Sequence, residues 1–152
     1  MKKIKIAMIG IDFNELSQPQ LDLIAEMSFL QTVDLHFVHI SMMQPYSWAK
    51  DLNIPLYPEG EAKVVIEHAV IDKLQELGDK YAPTGHVGSI HYTCLFSSNP
   101  KKEFADYAEK IGAGLVLILA GKERRLSLGS FINYQCHHCP AHVLVLRKKE
   151  IK

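Results

Sequence analysis

The chain has few cysteines, no excess of charge of either sign and no long apolar run, and each shortage closes off a class of function. Three cysteines among 152 residues are an odd number that cannot all pair within one chain, so a disulfide scaffold is excluded. Seventeen Lys and Arg balance seventeen Asp and Glu, for a formal net charge of zero. A nucleic-acid backbone or an anionic membrane would feel no whole-molecule attraction, and any anion site must be local. The first apolar stretch, residues 4–10, is interrupted by Lys5, and the longest other run, residues 113–120, falls far short of a membrane span. The expected setting is cytoplasmic, without membrane or nucleic-acid partners.

Motifs of several common chemistries are missing too. The sequence contains no G-x-x-x-x-G-K-[ST] phosphate loop and no G-x-S-x-G nucleophile elbow. Gly112 and Gly114 precede an apolar run instead of following one, so the dinucleotide turn is absent. A receiver domain needs paired acids after its first strand, and only Asp12 is there.

What is present is the composition of one globular domain spanning residues 1–152, with 47% hydrophobic and 22% charged residues. Residues 4–10, 33–40, 114–120 and 142–147 are short, apolar and rich in Leu or β-branched side chains, and read as strands. Residues 87–96 alternate, with Ile90, Tyr92, Cys94 and Phe96 on one face and Ser89, His91 and Thr93 on the other, which suits a half-covered edge strand. Helical periods lie between them. Leu16, Leu23, Ile24 and Met27 mark one apolar face, Ile66, Val70, Leu74, Leu77 and Tyr81 a second, and Phe104, Ala108 and Ile111 a third. The third has a start signal in Ser98, Asn99 and Pro100, and a fourth helix is expected over 130–138, ending before Pro140.

Strands alternating with helices, two of the strands apolar almost throughout, predict a doubly wound α/β domain whose parallel sheet carries helices on both faces. Ligands of such sheets sit beyond the carboxyl ends of the strands, where the strand order reverses. Asp12, Ile40, Ser97 and the residues from Gly121 onward are therefore the ones to inspect. The connection over residues 41–59, with Pro45, Pro55, Pro58, Trp48 and several other apolar side chains, is too long for a plain turn. It reads equally as a flap or subunit contact and as a cover for the core edge.

The segment with most local chemistry follows the fourth strand. Lys122, Arg124 and Arg125 form a basic loop, and Gly129 and Ser130 open a helix whose first-turn N–H groups and dipole would welcome phosphate. The plainer reading is a helix cap and a solvated turn.

Over nearly its whole length the sequence resembles the universal stress protein family. The resemblance rests on Ile6-Ala7-Met8-Ile9-Gly10-Ile11-Asp12-Phe13, on Val38-His39-Ile40, on Asn99-Pro100, and on Leu128-Gly129-Ser130 through His138, Pro140 and Val143-Leu144-Val145-Leu146-Arg147. It implies a five-stranded sheet of order 3-2-1-4-5 and a homodimer paired through the last strand, Val143, Leu144, Val145 and Leu146. It also implies an ATP or AMP site formed by Gly10, Ile11 and Asp12 at the adenosine, Ile40 at the adenine, and Gly121, Lys122, Arg124, Arg125, Gly129, Ser130 and Phe131 toward the phosphates. The loop departs from the family pattern: Arg124 stands where a second glycine is expected, and only four residues separate it from Gly129. Basic side chains would then have to stand in for backbone N–H groups.

Cys136-His137-His138-Cys139 resembles metal chemistry, but two further ligands are needed. His91 and Cys94, three apart on a strand, point to opposite faces. A redox pair belongs at a helix N-terminus, and this one lies at a C-terminus. Buried thiols and partly exposed histidines are the favoured reading, and no metal cluster is expected. The functional expectation is a stress-response or signalling protein that binds ATP or AMP without turning it over, since no general base is placed beside an activated water and hydrolysis would be slow at most. The alternative is a dimeric interaction protein of the same fold that has lost the nucleotide.

Overall fold

Strands that are apolar on both faces can be buried only between two helical layers, and this chain builds that sandwich. The computed structural model describes residues 3–42, 60–121 and 129–148. In chain order these form β1 (Ile6–Gly10), α1 (Gln18–Ala25), a 3-10 turn (Ser28–Leu30), β2 (Asp34–Met42), α2 (Glu61–Tyr81), β3 (Ile90–Ser97), α3 (Pro100–Ile111), β4 (Leu115–Ala120), α4 (Gly129–His138) and β5 (His142–Arg147). The strands make one sheet of order β3-β2-β1-β4-β5, parallel throughout. The doubly wound architecture and its strand order are as expected.

Alternate side chains build two cores. Ala7, Ile9, Leu35, Phe37, Leu115 and Leu117 pack with Leu21 and Ile24 of α1 and Leu74 and Tyr81 of α2. On the other face Met8, Val38, Val116 and Ile118 pack with Phe104 and Ala108 of α3 and Ile132 of α4. Each fully buried large apolar side chain contributes about 1.5–3 kcal/mol of transfer free energy. β3 and β5 are the edges. β3 is half-covered on both faces, its Thr93 hydroxyl hydrogen-bonded to the Tyr107 hydroxyl of α3 at 3.0 Å.

Asn99 caps α3 by accepting from the Lys102 N–H, with Pro100 in the first turn. The first helical period is corrected. Ile24 is buried and Leu16 and Met27 pack against the core as expected, but Leu23 is 45% exposed, and Gln20 and Leu21 are buried in its place. Leu16 and Met27 fall outside the eight-residue helix, so one periodic face cannot run through all four expected positions. The orientation of α1 is set by a polar residue. The buried Gln20 donates through Nε2 to the carbonyls of Ala120 (2.8 Å) and Leu146 (2.7 Å), the last residue of β4 and the penultimate residue of β5. Its Oε1 accepts from the Ser17 N–H (3.1 Å) and hydroxyl (2.8 Å).

At the opposite end of the sheet, His36 of β2 and His91 of β3 are register partners whose rings stack at 4.4 Å. The Nδ1 of His36 is buried without a partner among the described residues. Burial, then the neighbouring His91, pushes the His36 pKa below its ordinary value, and Asp34 opposes them only in part. A histidine whose folded pKa is depressed gives full stability above its unfolded pKa, near 6.5, and loses it as pH falls through that value toward the folded one. Asp34, held below the usual carboxylate range by hydrogen bonds from Ser89, loses its contribution only at lower pH. Urea midpoints are therefore expected to fall between pH 7.5 and 5, and His36→Phe should flatten that limb. Equal acid sensitivity in the variant would contradict this assignment.

Candidate functional site

The order of the sheet reverses between β1 and β4, and the crevice of a doubly wound sheet lies beyond the carboxyl ends of the strands at that reversal. Gly10 pairs with Val38 of β2 on one side and with Ile118 of β4 on the other. β2 runs on through Ile40 and β4 to Ala120, while the chain leaves β1 for the turn at Asp12, and Gly121 directly follows β4. The described members of the expected site at these three strand ends lie at one end of the sheet. Ile11 continues the ladder past β1, its N–H donating to the Val38 carbonyl at 2.8 Å.

Gly10 is required by packing. A Cβ there would press on the buried Phe104 ring. Asp12 is exposed and shapes the turn after β1, its Oδ1 accepting from the Asn14 N–H at 3.0 Å and its carbonyl from the Glu15 N–H at 3.0 Å. One carboxylate oxygen is thus committed to the turn. Ile40 packs against the core on the α3 and α4 side, so what it offers a ligand is its main chain.

Gly129 adopts a left-handed φ of 67° at the start of α4, and a Cβ there would meet nothing within 4 Å. A substituent there would strain the backbone by about 1–2 kcal/mol. Ser130 is exposed in the first turn. Phe131 is half-buried, its ring edge-on to Phe104 at 5.2 Å, which leaves its backbone rather than its ring for a ligand. Lys122, Arg124 and Arg125 lie outside the described residues, as do residues 43–59 of the long connection.

Three side chains not singled out in the sequence help build the crevice. Gln20 ties the ends of β4 and β5 together, and the Ser17-x-x-Gln20 spacing of a capping box was its available signal. His39 of β2 bonds through Nδ1 to the Ile11 carbonyl at 2.8 Å and packs on Phe13 at 4.8 Å. A carbonyl only accepts, so Nδ1 carries the hydrogen and Nε2 is the acceptor of the neutral ring. Glu15 reaches across to Gly121, where a Cβ would overlap its carboxylate. Strand register, invisible in the sequence, creates the last two contacts.

The cysteines form no centre. Burial raises the pKa of the Cys94 and Cys139 thiols, which makes them poor nucleophiles. Cys136 is exposed, and Cys139 packs against the second core. Among the described residues no group of three His, Cys, Asp or Glu side chains is placed to hold a metal.

The universal stress protein family model matches residues 3–147. The chain belongs to the universal stress protein family. Among solved structures it is similar to universal stress protein UspA from Lactobacillus plantarum, at 16% identity and TM-score 0.63 over 97% of this chain and 100% of that one. It is similar to a universal stress protein from Archaeoglobus fulgidus solved in complex with dAMP, at 14% identity and TM-score 0.57 over 95% and 98%. A further universal stress protein, in complex with cAMP, aligns at 11% identity and TM-score 0.62 over 96% and 98%. At these identities the likeness establishes the fold alone. Among curated proteins, none matches the chain in sequence. No helix of the described residues is long and apolar enough to cross a membrane.

Proposed function

We propose that this universal stress protein binds an adenine nucleotide or nucleoside in the crevice between β1 and β4 and serves as a ligand-responsive stress or signalling protein. What supports the reading is that Asp12 directly follows Ile11, the residue after β1, Ile40 lies near the end of β2 and Gly121 directly follows β4, around the reversal of strand order, in a fold whose neighbours include complexes with cAMP and dAMP. Asp12 would take the ribose hydroxyls through the carboxylate oxygen not used by the turn. The main chain at Ile40 would read the adenine edge, with Gly10 and Ile11 forming the floor. Phosphate would lie toward Gly121 and toward the N–H groups of Gly129, Ser130 and Phe131, with Lys122, Arg124 and Arg125 as point charges. A nucleotide held there, ATP or AMP, would be bound and not consumed, because no described side chain at the strand ends is set up as a base against water.

A second reading has its own support. The loop before Gly129 is short, and the Glu15 carboxylate stands over Gly121, as in a fold that has kept its interaction surfaces and lost the nucleotide. Calorimetric titration with adenosine, AMP and ATP, on protein freed of carried-over nucleotide, separates the two. Binding of at least one ligand is expected. Asp12→Asn should weaken adenosine by about tenfold, since the amide oxygen still closes the turn but the charge is gone. No heat with any of the three at millimolar concentration would remove the nucleotide and leave the interaction protein.

The partner we propose is a second copy, joined through β5. The N–H groups of His142 and Lys148 donate to the carbonyls of Gly114, just before β4, and Ala120, its last residue, so by the two-residue alternation of a strand those of Val143 and Val145 point to the open edge. An apolar edge with free donors invites pairing. Val145 also packs against the core beneath α4, so a charged replacement would disturb the fold itself. Val145→Pro removes an edge donor without touching the ladder to β4, and light scattering should show two chains becoming one. An unchanged dimer would place the interface elsewhere.

A further inference from the structure

The turn after β1 does more than carry Asp12. Its two hydrogen bonds, Asn14 N–H to the Asp12 carboxylate and Glu15 N–H to the Asp12 carbonyl, fix the direction in which Glu15 leaves the chain. That direction crosses the sheet reversal from the end of β1 to the end of β4. The Glu15 carboxylate ends against Gly121, in the volume a Cβ would occupy. An anionic group thus occupies the position where a nucleotide's phosphates would run. The absence of a side chain at Gly121 makes room for the acid as much as for a ligand.

We propose that Glu15 is the specificity-determining residue of this crevice: it competes with phosphate at Gly121 and sets the site to favour the nucleoside over the polyphosphate. The proposal rests on the nucleotide reading above and adds the chemical class preferred. Two anions a few ångströms apart repel, and the repulsion grows with each phosphate charge brought near Gly121. The base and ribose, which would lie toward Ile40 and Asp12, carry no charge for Glu15 to oppose. ATP must therefore displace the Glu15 side chain, whereas adenosine need not. A glutamine of the same shape removes the charge and keeps the exposed side chain's packing, so the fold is not at stake.

The test is titration of wild-type protein, Glu15→Gln and Glu15→Lys with adenosine and with ATP, in buffer without divalent cations. ATP affinity is expected to rise about tenfold in Glu15→Gln and further in Glu15→Lys, with adenosine changing by less than about twofold. The ATP gain should shrink as salt is raised. Adenosine binding with ATP affinity unchanged in both variants would overturn the role of Glu15 and leave the nucleotide reading standing. Equal gains for adenosine and ATP would overturn it as well, since charge at the phosphates would not be the cause. No binding of either ligand by any of the three proteins would overturn the nucleotide reading, and this proposal with it.

Discussion

The side-chain amide of Gln20 is the constraint on which the functional end of this molecule depends. The Ala120 carbonyl already accepts from the Lys148 N–H, whereas the buried Leu146 carbonyl takes the Gln20 amide as its donor, and a buried carbonyl without a donor costs about 1–3 kcal/mol. Gln20 donates to both carbonyls, and its oxygen is satisfied by Ser17. One residue therefore fixes the start of α1, the end of β4 and the end of β5 relative to one another. Everything proposed for the crevice, from the turn at Asp12 to the glycine at 121, hangs from elements that this amide holds in place.

Two consequences follow for chemistry. The crevice is framed by main-chain groups and small residues more than by reactive side chains: Gly10 yields to Phe104, Ile40 packs inward, and Phe131 leans on Phe104. Among the described residues it is the main chain that is left to offer hydrogen bonds there. The electrostatics of the crevice are also local. With the whole chain neutral, charge at this end of the sheet is set by nearby side chains, among them the exposed Asp12 and Glu15. Small changes there can move a protein of this fold between binding nucleoside, binding polyphosphate and binding neither.

Much of the fold was legible because apolar runs and helical periods are written locally. The runs at 114–120 and 142–147 reappear as β4 and β5, and Asn99-Pro100 opens α3 as its capping chemistry requires. The misreading of Leu23 has a physical cause. A buried polar residue, Gln20, overrides the apolar stripe by turning α1 so that its amide faces the strand ends. The crevice was legible only as a set of strand-end positions. That Glu15 lies on Gly121, and that His39 braces the Ile11 carbonyl, depends on register and on side chains meeting across strands, which no local pattern encodes. The pairing of His36 with His91 belongs to the same class.

The central claim is that the reversal of strand order between β1 and β4 is the ligand-binding end of this protein. Backbone amide resonances followed during titration with adenosine test it most directly. Perturbations should be confined to Ile11, Asp12, Ile40, Gly121, Gly129 and Ser130 and their immediate neighbours, with β3 and the His36–His91 end of the sheet silent. Saturable shifts clustered away from those residues would contradict the claim.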